Sequence, residues 1–341
     1  MRLRVGMVGL VLMLGAPMSA PVAQAASFDC AKAGTPLEKL ICSTPELSRS
    51  DEVLTKAYAT ALGGLSDEAK RTVQGTQRDW LAYAPLSCSP DAKPLESFDA
   101  DQTACVNSAF TTRVRDLENS RMMGGWRFFV KENFAVLDDP DSETWGGVAT
   151  KHFASPRIDD TVPEAVAFNA MMDNEDGTLG RMFDAQGTLT DTEVTSDADV
   201  AVTVDSVTSN RIGLKVDSYW MGHGAAHGNY AITHLHYLIK EGRKLEASDL
   251  FTGDAWQAAL GELVLGELDR TIDGGIWEES RATVPATAID PSRWDFGDNG
   301  LIVQFEPYEV TAYAYGAPTV TIGWDKLTEY LAPDYEARVL W

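Results

Sequence analysis

Residues 106–129 read VNSAFTTRVRDLENSRMMGGWRFF, and the spacing of apolar residues changes within this stretch. Its first part carries a set at three- and four-residue intervals, typical of one face of a helix: Val106, Phe110, Val114 and Leu117. After Gly124 and Gly125 the pattern becomes alternating, which is typical of strands. The glycine pair therefore predicts a boundary between a helical domain at residues 26–123 and a second domain at residues 124–341.

The helical spacing extends back to about residue 30, with clear start and stop signals. Thr35 offers an N-cap, Pro36 suits the first helical position, and Glu38 completes a capping box. Pro85 is expected to close a later helix. Helices are predicted to begin near residues 36, 45, 67 and 100, which together indicate a small all-α bundle.

The cysteines all lie in this first domain: Cys30, Cys42, Cys88 and Cys105. An even, clustered set in an exported chain indicates two disulfides. Three pairings are open, and we favour Cys30–Cys42 with Cys88–Cys105, because each closes a short segment bordering a predicted helix. Zinc is the alternative, although the close C-x-x-C spacing of structural zinc sites is absent from the sequence.

The second domain shows more strand-like than helix-like segments, without strict alternation between the two. This pattern favours an α+β fold with a mainly antiparallel sheet. Helices are predicted at residues 163–173, 255–270 and 325–331. Strands are predicted at residues 200–204, 212–220, 231–239, 301–305 and 319–324.

The amino terminus has the organisation of an export signal. Arg2 and Arg4 precede an unbroken apolar run at residues 5–14, and Ala23-Gln24-Ala25 has the small-x-small pattern of a cleavage site. The run is shorter than the roughly 20 residues that span a bilayer. We therefore predict a signal peptide at residues 1–25, no membrane span once it is removed, and a periplasmic or secreted protein.

The chain is strongly acidic, with a formal net charge of -23 at pH 7. Nucleic-acid binding depends on cationic contacts to phosphate, so this charge argues against a nucleic-acid partner. It suits a basic protein partner or simple solubility.

The first domain contains an ordered series of residues over positions 28 to about 118: Phe28-Asp29-Cys30, Thr35, Glu38, Ile41-Cys42, Tyr58, Gln77-Arg78, Trp80-Leu81, Cys88, Cys105, Arg113-Val114 and Leu117. This series resembles the LprI-type lysozyme-inhibitor domain. The resemblance implies a helical, extracytoplasmic module that binds lysozyme.

The second domain contains a further series of residues over about positions 124–331: Pro156-Arg157-Ile158, Phe168-Asn169, residues 224–229, Lys244-Leu245, Asp249-Leu250-Phe251, Phe305, Pro307-Tyr308-Glu309-Val310, Tyr313-Ala314 and Gly316. This series resembles the carboxy-terminal domain of RsiV, an anti-sigma factor that recognises lysozyme. No cytoplasmic anti-sigma segment is present in the sequence, so we expect recognition at the cell envelope and not signalling.

These patterns predict a binding protein and not an enzyme, with no cofactor and no bound metal. Its expected partner is lysozyme or another basic cell-wall-active protein, or peptidoglycan. The predicted partner-binding residues combine a glycine-rich turn with an acidic, aromatic segment: His223, His227, Asn229, Glu306, Tyr308, Glu309 and Tyr313.

Two other functions stay open. One is a peptidoglycan-binding or envelope-structural module that acts with a wall-modifying enzyme. The other is a metal-dependent hydrolase, because His223 and His227 precede His234 and His236, and paired histidines can ligate zinc or copper. Yet the glycines around His227 indicate a loop and not the helix that a metalloprotease pair requires.

Overall fold

The structure is a computed structural model that describes residues 26–139, 147–179, 182–184 and 187–340, without the side chains of 176–178. The predicted signal peptide lies outside these residues. Within them, no helix is both long enough and apolar enough to cross a membrane.

The first part of the described chain is helical, as predicted. The Thr35 hydroxyl accepts a hydrogen bond from the Glu38 backbone, and the Glu38 carboxylate accepts one from the Thr35 backbone, so the predicted capping box forms. Pro85 lies inside the last turn of its helix instead of ending it. The helices are α1 (Pro36–Ser43), α2 (Pro45–Leu62), α3 (Asp67–Leu86) and α4 (Ala100–Glu118).

Both favoured disulfides are confirmed. Cys30–Cys42 joins a single 3-10 turn at Cys30–Lys32 to the end of α1. Cys88–Cys105 joins the segment after α3 to α4. Each bridge closes a short loop next to a helix end.

The second part is an α+β region with a mostly antiparallel sheet, also as predicted. In the described residues, seven strands lie side by side in sequence order, and the pairing is antiparallel except between β3 and β4. They are β1 (Met122–Met123), β2 (Trp126–Leu137), β3 (Ala149–Ile158), β4 (Ser196–Val207), β5 (Arg211–Gly222), β6 (Asn229–Leu238) and β7 (Arg243–Lys244).

One face of this sheet is covered by helix α5 (Pro163–Leu179). The ring of Phe168 on α5 packs edge-on against Phe128 of β2 and Tyr237 of β6. All three side chains are almost completely buried. The apolar residues of β4 and β5 pack into the same core, so α5 and the sheet form one two-layer unit.

The remaining chain builds a third hydrophobic core against the end of β6. Trp294 lies at its centre, with its indole N–H donating to the Ala288 carbonyl. The elements are α6 (Ala247–Leu250), α7 (Trp256–Thr271), α8 (Val284–Ala288), β8 (Trp294–Gly297), β9 (Gly300–Gln304), β10 (Thr319–Gly323) and α9 (Trp324–Leu327). β9 lies between β8 and β10 in a second, antiparallel sheet.

The helical region and the main sheet are in direct contact. Phe129 of β2 packs into the helical core, and the Arg127 guanidinium donates to the carbonyls of Ala61 and Gly63 at the end of α2. Gly124 has a positive φ of 55°, and a β-carbon there would lie 2.2 Å from a methyl carbon of Val207. Only glycine fits this position without strain. A domain boundary at residues 123/124 stays a prediction.

Candidate functional site

The segment after β9 forms a tight turn that presents Tyr308. The Glu309 backbone N–H donates to the Glu306 carbonyl at 3.1 Å, and Pro307 occupies the second position of the turn. Tyr308 follows at the third position with φ 66°, a left-handed conformation that glycine usually adopts there. A bulky residue in this conformation costs of order 1–3 kcal/mol, and such costs are concentrated at functional sites.

Glu309 holds this turn from beneath. One carboxylate oxygen accepts from the Thr287 hydroxyl at 2.7 Å, and the other accepts from Arg293 at 3.0 Å and from the Glu306 backbone at 2.8 Å. Arg293 also contacts the Glu306 carboxylate at 3.3 Å. The two glutamates therefore lie together, with Glu309 committed to shaping the turn that exposes Tyr308.

His227 reaches the same place from the glycine-rich loop before β6. Its ring stacks on Tyr313 with centroids 4.5 Å apart, and the Tyr308 ring lies 5.2 Å from Tyr313 and 6.3 Å from His227, so the three rings contact one another. The His227 Nδ1–H donates to the Gly228 carbonyl at 2.8 Å. This fixes the tautomer and leaves Nε2 as an acceptor, 3.4 Å from the Tyr308 hydroxyl.

The main sheet extends this group of rings. Tyr230 of β6 meets Tyr313 edge-on at 6.1 Å, and Tyr219 of β5 lies opposite Tyr230 in the strand register. Gly228 makes room for the Tyr219 side chain, because a β-carbon at position 228 would lie 2.2 Å from the Tyr219 hydroxyl. We call the resulting group the aromatic surface: Tyr219, His227, Tyr230, Tyr308 and Tyr313.

The aromatic surface is open to solvent at its rim. Tyr308 is 47% exposed and Tyr219 is 43% exposed, while Tyr230 and Tyr313 are half-buried beneath them. Such a surface offers flat apolar ring faces together with hydroxyl groups, a combination favoured for contact with proteins and sugars. The sequence motifs did not single out its two sheet residues, Tyr219 and Tyr230. The alternation of β5 is the sequence signal that could have placed them on one face.

Two of the predicted partner-binding residues lie apart from these rings. His223 Nδ1 is 2.5 Å from an Asp139 carboxylate oxygen, so this histidine anchors the loop to the end of β2. Asn229 lies opposite Trp220 in the register, and successive side chains of a strand point to opposite faces. His223 and Asn229 therefore do not join the aromatic surface, and partner contacts by any of the seven residues stay a prediction.

The histidines considered for a hydrolase make separate contacts within the protein. His236 Nδ1 accepts from Arg211 at 3.0 Å, and its Nε2–H donates to the Trp294 carbonyl at 2.8 Å, so both nitrogens are used. Burial, together with the Arg211 charge, lowers the pKa of His236 to about 3. Among the described residues, the acid and histidine group close enough to share a cation contains none of the four predicted histidines.

A transverse row of side chains connects the aromatic surface with the helical region. Register partners place Phe134, His152, Asp199, Tyr219 and Tyr230 side by side across β2 to β6. An open cleft of about 560 Å³ separates the outer part of this row from α4. The row becomes buried under α4 at its other end, where His152 is 4% exposed.

The helical region has a separate concave feature. An open, mainly apolar groove of about 890 Å³ lies between α1, α2, α3 and the loop before α4. Leu81, one of the residues that carry the resemblance stated above, is 47% exposed at its side. Among the other lining residues are Phe28, Leu37, Ile41, Leu54, Tyr58 and Leu86. The groove is a second candidate surface for a protein partner.

Comparison with known proteins gives two family matches. Residues 29–117 match the family described as lysozyme inhibitor LprI, which coincides with α1 to α4 and both disulfides. Residues 248–325 match DUF3298, a family described as proteins of unknown function. The second match includes the turn that presents Tyr308.

Two solved structures resemble the chain at 14% sequence identity. A DUF3298-family protein of Bacteroides fragilis NCTC 9343 aligns with a TM-score of 0.44, covering 62% of this chain and 96% of its own. One of Pseudomonas aeruginosa PAO1 aligns with a TM-score of 0.43, covering 64% of this chain and 98% of its own. No curated protein matches. The predicted layout is confirmed by the family matches: an LprI-like helical region precedes a region that matches DUF3298.

Proposed function

We propose that this protein is a periplasmic or secreted lysozyme-inhibitor-like protein, which binds a basic cell-wall-active enzyme and blocks its cleft. The observation that carries the proposal is the LprI match over the disulfide-bonded helical region. Two disulfides favour an oxidising, extracytoplasmic compartment.

The aromatic surface is our candidate for the contact with the enzyme. Binding energy at protein interfaces is concentrated in a few aromatic and arginine residues that become fully desolvated. Tyr308 fits this role, because the turn holds its exposed ring in place and so reduces the entropy lost on binding. His227 and Tyr313 support the ring from behind.

Charge supports the choice of a basic partner. The net charge of -23 would attract a cationic lysozyme over a Debye length of about 10 Å at 0.1 M salt. Complementary charge speeds encounter and weakens as salt rises. The complex should therefore form faster at low ionic strength.

The test measures lysis of cell walls by a basic lysozyme with and without the purified full chain. We expect inhibition, a complex on size exclusion, and at least a tenfold loss of affinity in Tyr308→Ala. Trp220→Ala is the matched control, because Trp220 is 52% exposed but faces away from the aromatic surface. Unchanged lysis and no complex at low salt would contradict the proposed function.

A third variant separates the two candidate surfaces. Leu81→Asp places a charge beside the apolar groove without touching the aromatic surface. If Leu81→Asp abolishes inhibition while Tyr308→Ala inhibits normally, the enzyme binds at the groove. The function would then stand, and the role given to the aromatic surface would be wrong.

Peptidoglycan binding is the second candidate, and the exposed rings of Tyr219 and Tyr308 favour it, because aromatic faces also stack on sugars. Co-sedimentation with purified sacculi distinguishes the two functions. A peptidoglycan-binding module would sediment with sacculi in the absence of lysozyme, whereas a lysozyme inhibitor would stay in the supernatant.

A further inference from the structure

Three side chains that could bind a metal ion meet where the helical region contacts the sheet. Asp116 lies on α4, Glu132 on β2 and His152 on β3. One ligand atom from each lies within 4.8 Å of the others, and all three residues are buried. The sequence motifs pointed to other histidines, and the fold creates this group from three distant segments.

His152 is oriented as a metal ligand would be. Its Nδ1 is 2.7 Å from an Asp199 carboxylate oxygen on β4, so Nδ1–H donates to Asp199 and the Nε2 lone pair points inward. The ring also stacks on Phe134 at 4.9 Å, which holds its plane. A carboxylate behind a histidine commonly fixes the tautomer and orientation of a metal-binding imidazole.

The inward-pointing atoms have no hydrogen-bond partner in the described part of the chain. His152 Nε2 and Glu132 Oε1 are both fully buried, and they lie 3.5 Å apart. Leaving a buried polar atom unsatisfied costs about 1–3 kcal/mol. The two atoms therefore need a positive charge that both can contact, either a proton on Nε2 or a cation bound by both atoms.

We propose that His152, Glu132 and Asp116 bind a divalent transition-metal ion, with zinc as the best fit. Two ligands about 2.0–2.1 Å from a tetrahedral zinc ion lie about 3.3 Å from each other. The separation of His152 Nε2 and Glu132 Oε1 is close to this value. Asp116 supplies the third ligand atom, and a solvent molecule can complete the tetrahedron.

The local charge suits a cation. The carboxylates of Asp116, Glu132 and Asp199 surround the site, while Arg113 pairs with the other Glu132 oxygen and Arg115 lies 3.4 Å from an Asp116 oxygen. With neutral His152, one negative charge remains, which attracts a cation. A cleft of about 470 Å³ that is lined by Asp116, His152 and Asp199 provides an entry path.

A proton is the competing occupant. Burial alone would lower the pKa of His152, but contacts with Asp199 and Glu132 raise it to about 10 in the absence of a metal ion. A bound cation replaces this proton, since a metal-bound histidine is neutral. Occupation would cross-link α4 to β2 and β3 and so stabilise the junction of the two regions.

The test uses the full chain without an affinity tag, stripped with a chelator and then dialysed against zinc. We expect one zinc per chain by mass spectrometry of the metal, and less than 0.1 in Asp116→Asn and His152→Gln. Asp199→Asn should weaken zinc affinity about 10–100-fold, because it removes the group that orients His152. His234→Gln is the matched control, because His234 is also buried but lies outside the site.

The zinc content of these variants decides whether the proposed site exists. Stoichiometric zinc that is lost in Asp116→Asn, whose circular dichroism remains native, and kept in His234→Gln supports it. Wild-type protein without zinc overturns the proposal, as does equal binding by wild type and Asp116→Asn. The proposal is independent of lysozyme binding, which is measured separately.

Discussion

Arg113 and Glu132 form an ion pair in which both side chains are almost completely removed from solvent. Arg113 lies on α4 and Glu132 on β2, so the pair joins the helical region to the sheet. Arg113 also donates to Gln77 of α3 at 3.0 Å. Two residues that carry the LprI resemblance, Gln77 and Arg113, are thus committed to internal structure.

Removal of Arg113 should strongly destabilise the protein. Arg113→Met leaves Glu132 as a buried carboxylate without its cation, which typically costs 3–5 kcal/mol. Urea unfolding followed by circular dichroism measures the loss. Lys32→Met is the control, because the Lys32 side chain is 83% exposed, pairs only with an exposed Asp29 carboxylate, and should change the free energy of unfolding by less than about 1 kcal/mol. Equal effects of the two substitutions would show that the buried pair is not important for stability.

The left-handed conformation of Tyr308 predicts that this residue lowers the stability of the protein while its ring contributes to binding. Tyr308→Gly and Tyr308→Ala both remove the ring, but only glycine accepts a φ of 66° without strain. We expect the free energy of unfolding of the glycine variant to be about 1 kcal/mol higher than that of the alanine variant. Both variants should bind the partner weakly. Paired urea titrations measure the difference. A more stable alanine variant would be inconsistent with strain at this position.

His236 should make the protein less stable in acid. The unfolded chain takes up a proton at this histidine near pH 6.5, whereas the folded chain does so only near pH 3. The unfolded state therefore binds more protons between these values, and stability falls as pH falls through this window, by up to about 1.4 kcal/mol per pH unit.

Thermal unfolding between pH 3 and pH 7 checks this prediction. His236→Gln removes the titrating group and should flatten the dependence on pH, although it is expected to be less stable at pH 7. His227→Gln, at an exposed position, should retain the wild-type slope. The same slope in all three proteins would mean that His236 does not control the acid response.

Each disulfide should contribute about 3 kcal/mol, because each closes a loop of moderate length in the unfolded chain. Serine at both Cys30 and Cys42, or at both Cys88 and Cys105, should lower the free energy of unfolding by that amount. A reducing agent should affect wild type but not the variant that lacks all four cysteines. Urea midpoints with and without the reductant provide the measurement.

The helical region could be predicted almost completely, because its signals are local. The capping box at Thr35 and the proline at position 36 act within one turn of helix, so the sequence predicted the start of α1 directly. The two long strands β2 and β3 were not predicted. β3 is buried along nearly its whole length and contains Pro156, so it lacks both alternation and the usual composition of a strand.

The candidate sites also differ in whether local sequence signals predict them. Tyr308 and Tyr313 belong to one short motif, and the sequence singled them out together. The contact of His227 with them depends on a loop far away in sequence and could be predicted only through the family resemblance. His152, Glu132 and Asp116 come from three separate elements, and no spacing in the sequence brings them together.

The two-residue strands β1 and β7 at the margins of the main sheet have a consequence for aggregation. A long exposed edge strand offers unpaired backbone groups to a neighbouring molecule, whereas a very short or charged one does not. β1 is only Met122–Met123, α3 packs against β2 beside it, and β7 is Arg243–Lys244. Within the described part of the chain, β1 and β7 are therefore too short to act as templates that another copy could extend.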